Sequence, residues 1–172
     1  MIYKPRFLAS LALAPTHAMF PPLCLLHAML ATASRFVSEG ANAPSDKASF
    51  GTYWRRDEPG VDTPADYHAE RAKEGIQAAL GTGHSLLQTT QATILCCLHS
   101  FTSARVVEVW LLTSTAVRII TPLGLNHLRS IPANDAGPIF LKPDMISATS
   151  DDEELRERAA TCWMAVCWLS LS

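Results

Sequence analysis

Charged side chains are scarce in this sequence. Asp, Glu, Lys and Arg make up 17% of the 172 residues, whereas typical soluble domains have about 25%. The formal net charge is −2 and no lysine-rich run occurs, so the chain has no general attraction for phosphate backbones. We therefore expect no DNA binding by this chain itself. The low charge content also predicts apolar surface that needs a partner or further chain to cover it.

Metal-ligand spacing is also missing. Zinc sites usually draw on two pairs of ligands in C-x2–4-C-like spacing, but two of the cysteines are adjacent and two others have four residues between them. No two of the six histidines are three or four positions apart, so none is predicted to pair with another on a helix face. We predict no metal or cofactor site, and reduced thiols within apolar helices. The five cysteines are Cys24, Cys96, Cys97, Cys162 and Cys167.

Catalytic motifs are absent as well. The chain has no G-x-S-x-G, no phosphate-binding glycine loop and no H-E-x-x-H. The nearest nucleophile and base are Cys96 or Cys97 with His99, and neighbours of this kind on an apolar helix more often form core packing. The acidic run at 151–154 is explained by a helix N-terminus. The sequence predicts a protein that is not an enzyme.

Long hydrophobic runs are missing too. Lys4 and Arg6 precede an apolar stretch that loosely resembles a secretory signal, but the stretch is short and Pro15 interrupts it. No segment reaches about 18 uninterrupted apolar residues, the length that a membrane-spanning helix needs. We expect neither a secretory signal nor a membrane partner.

The longest helix-like run covers residues 104–128. Pro122 and Gly124 end its pattern. Further apolar residues widen its surface, which predicts a central helix buried on most sides. Its spacing of three and four indicates one inner face, made of Val106, Trp110, Thr113, Val117 and Ile120.

Four further helices are predicted, at residues 23–37, 63–80, 85–101 and from a Ser150–Glu153 capping box to the chain end. A short helix can form before Pro15, and the short link from 81 to 85 predicts an antiparallel hairpin. No β-type alternation is sustained, so we predict an all-α, irregular bundle of about five main helices. The inner faces predicted from spacing are Leu23, Leu26, Leu30, Ala33 and Val37; Ala65, Ala69, Ala72, Ile76 and Ala79; Leu87, Gln91, Ile94, Leu95 and Leu98; and Leu155, Ala159, Cys162, Val166 and Leu169.

Residues 41–62 and 130–149 are predicted to be loops because proline and glycine interrupt both. The first carries an aromatic and basic patch at 53–56, with the sequence YWRR. This patch can anchor the loop or contact a partner or nucleic acid. We favour the anchor, since groove binding needs more positive charge.

The run at 104–128 also carries a family resemblance. Val109 and Trp110, the sequence AVRI at 116–119 and LGLNH at 123–127 occur in order. Together they resemble the middle homology region of fungal-specific transcription factors, the regulatory domain that accompanies a binuclear zinc cluster. Weaker likenesses lie at 5–8, 25–29, 67–72, 87–92, 153–154 and 161–164, so the similarity covers nearly the whole chain.

The resemblance implies a nuclear regulatory domain that controls transcription by binding an effector or a partner protein. Zinc and DNA would be bound only by the family's zinc cluster, which is absent from these 172 residues. The sequence also departs from the family: Ala159 and Ala160 stand at an arginine pair, and Leu169 and Ser170 at an Asp–Arg pair. We therefore expect residues 1–172 to be a partial domain. The alternative is a non-catalytic helical scaffold or interaction protein derived from such a factor.

Three side chains follow from this reading as structural or regulatory candidates: Arg118, Trp110 and Trp163. Arg118 is a charge in an apolar helix. It requires a carboxylate partner, either Glu108 or a residue on the family's C-terminal helices that these 172 residues lack, or else a route for its head group to solvent. The sequence assigns no catalytic, cofactor-binding, metal-binding or DNA-binding residue.

Overall fold

The computed structural model describes residues 1–40, 63–125, 146 and 149–171, without the side chains of 35–40. The aromatic and basic patch at 53–56 and most of the two predicted loops lie outside these residues. The described part is all-helical and contains no strand, which confirms the predicted fold class. Its six helices are α1 (Lys4–Leu11), α2 (Leu23–Gly40), α3 (Pro64–Thr82), α4 (Leu86–Thr102), α5 (Val106–Ile120) and α6 (Asp152–Leu171).

The helix ends follow their local chemistry. Thr63 caps α3 by accepting a hydrogen bond from the Asp66 amide at 3.1 Å, and Pro64 occupies the first turn. Gly83 ends α3 with a φ of 72°, a left-handed conformation that favours glycine. The Ser150–Glu153 capping box is wrong by one residue, because the Asp151 carboxylate accepts the Glu153 amide at 3.0 Å.

The central helix is α4, and not α5 as the sequence predicted. Helix α4 contacts α2, α3, α5 and α6. Most of its residues are buried, and the buried residues occur all around the helix. Threonine, alanine and cysteine supply much of this surface, because small side chains let four neighbours approach one helix. Two hydrophobic clusters meet on it: one contains Ile94 with residues of α5 and α6, and the other contains Cys96 with residues of α2 and α3.

Helix α5 is turned away from its predicted orientation. Thr113 and Ile120 are buried as expected, but Val106 is 73% exposed and Trp110 58% exposed. Spacing alone could not fix the buried side of a helix that is apolar on most sides. The observed buried face consists of Val109, Thr113, Ala116, Ile119 and Ile120.

The predicted inner faces of α2 and α6 are also wrong. Leu23 and Leu30 are exposed on α2, and Val166 and Leu169 are exposed on α6. In their place the helices bury Cys24, Leu25, Ala28 and Ala31, and Arg158, Thr161, Ala165 and Trp168. The buried face of α2 is built mostly from smaller residues than the leucine-rich stripe chosen from hydrophobicity, whereas α6 buries two large side chains, Arg158 and Trp168, with two small ones.

Close packing between α2 and α3 explains this preference for small residues. A Cβ added at Gly75 of α3 would lie 2.8 Å from the Cβ of Cys24. The predicted inner face of α3 is mostly alanine, and we call it the small-residue stripe. It is confirmed at four of its five positions, Ala65, Ala69, Ala72 and Ile76, all of which are buried. The helix axes can approach closely because neither face carries a bulky side chain at the contact.

None of the six helices in the described part of the chain is long and apolar enough to cross a bilayer.

Candidate functional site

A polar cluster lies where the start of α3 and the start of α5 meet the end of α4. Asp66 is at its centre and only 7% exposed. Its Oδ1 accepts a hydrogen bond from Arg105 Nη2 at 2.9 Å and lies 3.3 Å from His99 Nε2. Its Oδ2 accepts from the Thr63 hydroxyl at 2.6 Å. Because Asp66 begins α3 and His99 ends α4, these contacts show that the two helices form the predicted antiparallel hairpin.

The same polar cluster extends one turn further along α3. Lys73 Nζ donates to Glu70 Oε1 at 2.6 Å and also to the carboxylate of Glu108. Ser100 Oγ donates to the other oxygen of Glu108 at 2.7 Å. Four groups from three helices are thereby joined, and each carboxylate has a cation beside it.

Electrostatics within the cluster favour the charged forms. Burial alone would raise the pKa of Asp66, but the Thr63 hydrogen bond and the charge of Arg105 outweigh it and lower that pKa. Burial likewise opposes ionisation of Glu108, and hydrogen bonds from Lys73 and Ser100 lower its pKa overall. Asp66 and Glu108 therefore stay ionised at neutral pH, and their cationic neighbours balance their charges. This arrangement fixes the alignment of three helices.

The cysteine and histidine pair considered from sequence lies beside this cluster on α4. Cys96 and Cys97 are fully buried, and burial raises the pKa of their thiols to about 12 and about 11. Thiols with such values are protonated at neutral pH and are poor nucleophiles. His99, the proposed base, lies beside Asp66.

A second histidine contact was missed by the sequence reasoning. His27 of α2 and His68 of α3 lie with their Nδ1 atoms 2.8 Å apart, so one ring donates to the other. Spacing within one helix could not reveal a pair formed across two helices. The only signal was the small-residue stripe of α3, which predicts a close neighbouring helix. Burial, then the charge of Arg71, lowers the pKa of His27, and burial, then the charge of His27, lowers that of His68.

The opposite end of the hairpin holds a cavity of about 320 Å³. It lies between the end of α3, the start of α4 and the end of α5. The lining residues are mainly apolar, and Arg118 is the charged residue among them: Leu80, Gly83, Leu86, Thr115, Arg118, Ile119 and Pro122.

Arg118 is placed far from the carboxylate considered as its partner. Glu108 is ten residues earlier on α5, a distance of about 15 Å along a helix, and it is bound by Lys73 and Ser100. Arg118 is exposed, and within the described residues it has no ion pair. The route to solvent, which the sequence left open, is the arrangement observed.

The two tryptophan candidates both lie on the surface. Trp110 is 58% exposed on α5 and Trp163 is 69% exposed on α6. The structure does not bring either of them together with Arg118 in a site. Trp168, which the sequence reasoning passed over, is 8% exposed and lies edge-on to the ring of Phe101 at 5.4 Å.

A surface of four exposed apolar side chains runs along the first half of α5. Val106, Val107, Trp110 and Leu111 are each between 55% and 73% exposed. Their spacing of one, four and five positions places them on one side of the helix. We call this set the α5 apolar surface. No charged residue belongs to it, since Glu108 points towards Lys73.

In the described part of the chain, no three His, Cys, Asp or Glu side chains are grouped so that they could hold a metal ion. Comparisons with protein-family models, with curated proteins and with solved structures gave no match.

Proposed function

We propose that this chain is a non-catalytic regulatory segment of a nuclear zinc-cluster transcription factor, and that it acts by binding an effector or a partner protein. The support for this comes from the motifs between 104 and 128, which resemble the middle homology region of that family. DNA and zinc would be bound by a separate zinc-cluster module.

The observation that carries this proposal is the α5 apolar surface. It lies within the stretch of the resemblance. Four large apolar side chains are exposed there, and Glu108 is directed away from them towards Lys73. Contiguous apolar surface of this kind marks sites of protein interaction more often than ordinary solvent-facing surface. Trp110 supplies the kind of aromatic anchor on which binding energy usually concentrates.

The inner chemistry of the bundle supports a role without catalysis. The carboxylates of the polar cluster are neutralised by adjacent cations, and the thiols nearest to a histidine are buried with raised pKa values. A mild alkylating reagent should therefore label Cys96 and Cys97 slowly in the folded protein. Fast labelling at either position would favour an enzyme.

A reporter assay tests the regulatory role. The chain is fused between a zinc-cluster DNA-binding module and an activation domain, and transcription from that module's target site is measured in fungal cells. We expect the inserted chain to lower transcription, and Leu111→Ser on the α5 apolar surface to relieve the effect. The matched control is Leu30→Ser, a leucine of similar exposure on α2.

The alternative, an interaction protein without a role in transcription, is favoured by exposed apolar residues on α6, including Trp163 and Leu171. In that case the inserted chain leaves transcription unchanged, whereas Leu111→Ser still alters the protein's association state in sedimentation. The isolated chain should not bind DNA in either case, which a salt-resistant, sequence-specific gel shift would contradict.

A further inference from the structure

We propose that the cavity at the junction of α3, α4 and α5 binds a small organic acid, with its carboxylate on Arg118 and its hydrocarbon body against Leu80, Leu86 and Ile119. The inference rests on the proposed function only for its biological meaning, since an effector is one of the two kinds of ligand that the role proposes. The binding itself follows from the geometry of the cavity.

The cavity has the size and lining of a small-ligand site. Its volume of about 320 Å³ lies at the lower end of the range of such pockets, about 300–1,000 Å³. Leucine, isoleucine and proline form most of the wall, and one charged side chain stands among them. An apolar wall with a single charge selects a ligand with the same division, an apolar body and one charged group of opposite sign.

Arg118 sets the sign of the ligand's charge. Its guanidinium is exposed and has no ion pair within the described residues, unlike Arg105 and Lys73 at the other end of the hairpin, which are both held by carboxylates. The planar guanidinium can bind a carboxylate with two parallel hydrogen bonds.

The backbone amides at the start of α4 also favour a negatively charged ligand. Ser85 precedes the helix with a φ of 50°, and its side chain makes no capping hydrogen bond. The first amides of α4 therefore lack a side-chain acceptor close to Leu86, which lines the cavity. Gly83 leaves the neighbouring wall open, because a Cβ there would have no atom within 4 Å.

Isothermal titration of the purified chain with octanoate and with 3-phenylpropionate tests the proposal. We expect at least one of the two to bind with a Kd below about 1 mM, and the stronger of them shows whether an aliphatic or an aromatic body fits. Arg118→Gln should weaken this binding by about tenfold or more. The matched control, Arg156→Gln, changes an exposed arginine on α6 and should leave the Kd unchanged.

Two further probes test the apolar wall and Arg118 separately: octanol, which has the hydrocarbon body without a charge, and inorganic phosphate, which has charge without a hydrocarbon body. Octanol should bind more weakly than octanoate, and Arg118→Gln should not affect it. Inorganic phosphate should not displace the acid. The proposal is overturned if neither acid binds, if Arg118→Gln binds both as well as the natural chain does, or if phosphate competes as well as octanoate.

The outcome is independent of the reporter assay. Acid binding that requires Arg118, together with an unchanged reporter, would contradict the transcriptional role and leave the binding site intact. A chain that regulates the reporter but binds neither acid would overturn the site alone.

Discussion

The two ends of the α3–α4–α5 unit are stabilised in opposite ways. At one end Asp66, Arg105, Lys73 and Glu108 satisfy one another's charges. At the other end the walls are mostly apolar, and Arg118 has no ion pair within the described residues. The end with many charges therefore has little unused binding capacity, whereas the end with one charge retains it. The density of charged residues is thus a poor guide to where this chain binds a ligand.

The difference also has an energetic meaning. Apolar burial does not respond to charge screening or to protonation, whereas paired charges respond to both. Variants at the two ends should therefore differ in how their effects depend on conditions, even where the effects are of similar size.

The largest effect is expected at the apolar end. Ile119→Ala removes a side chain that is 9% exposed and belongs to the core around α4. The free energy of unfolding should fall by about 3 kcal/mol through lost burial and the cavity left behind. Urea titrations at low and high salt should give the same loss. Val107→Ala, at an exposed position of the same helix, should change it by less than about 0.5 kcal/mol.

Asp66→Ala should produce a smaller loss at the polar end, about 2 kcal/mol, because it leaves Arg105 and His99 beside a site without its carboxylate. Unlike that of Ile119→Ala, this loss should shrink at high salt, since part of it is electrostatic. Glu74→Ala serves as control, because its ion pair with Arg71 is at the surface and contributes little. Equal losses in the two variants would contradict a special role for Asp66.

The third-largest effect is expected at low pH, which should weaken the polar cluster. The pKa values of Asp66 and Glu108 are lowered in the folded chain, so the unfolded chain binds protons first. The stability they contribute is present above the unfolded pKa values of 3.8 and 4.5 and is lost as pH falls towards the folded ones. The loss should be on the order of 1 kcal/mol, allowing for solvent around Glu108. The Asp66→Asn, Glu108→Gln double variant should show a flatter pH profile in urea titrations, and an unchanged slope would contradict this assignment.

The smallest effect concerns His27 and His68. Burial lowers both pKa values from 6.5; the charge of Arg71 adds to the effect on His27, and the charge of His27 adds to the effect on His68. Their contribution is therefore present above pH 6.5 and is lost as pH falls through the folded pKa values, when two charged rings would face each other. The change should be less than about 1 kcal/mol, since both rings are partly solvated.

Thermal unfolding between pH 7.5 and 5.5 measures this histidine effect. His68→Asn should reduce the slope, because only His27 then titrates with a lowered pKa, whereas His84→Gln, at an exposed position between α3 and α4, should preserve it. An undiminished slope in His68→Asn would assign it to other groups.

The fold class and the helix ends could be predicted because they depend on local chemistry. The Thr63 cap, the left-handed Gly83 and the hairpin between α3 and α4 all follow from residues next to one another in sequence. Which face of each helix is buried could not be predicted in the same way. On α2 the close contact with α3 selects small side chains, and on α6 the buried face includes Arg158 and Trp168, whereas hydrophobicity alone favoured the leucines of both helices.

Only one residue of the candidate site was singled out from the sequence. Arg118 stood out as a charge in an apolar helix, but the cavity beside it depends on Leu80 and Leu86 from two other helices. The polar cluster and the pair of histidines likewise join residues that are 33 to 41 positions apart. Spacing within one segment carries no information on such contacts. The resemblance at 25–29 and 67–72 includes His27 and His68, but it assigns neither of them a contact.

The five thiols have a consequence for observing this bundle in motion. Cys167 is exposed and Cys162 partly so, while Cys24, Cys96 and Cys97 are buried. Cys24 lies at the tight contact with Gly75, so a reagent can reach it only when α2 separates from α3. Labelling of Cys96 and Cys97 would measure how often α4 separates from its neighbours, and labelling of the exposed Cys167 would give the reagent's rate with an accessible thiol. The order in which mass labels accumulate on the natural chain would therefore give the order in which its helices come apart.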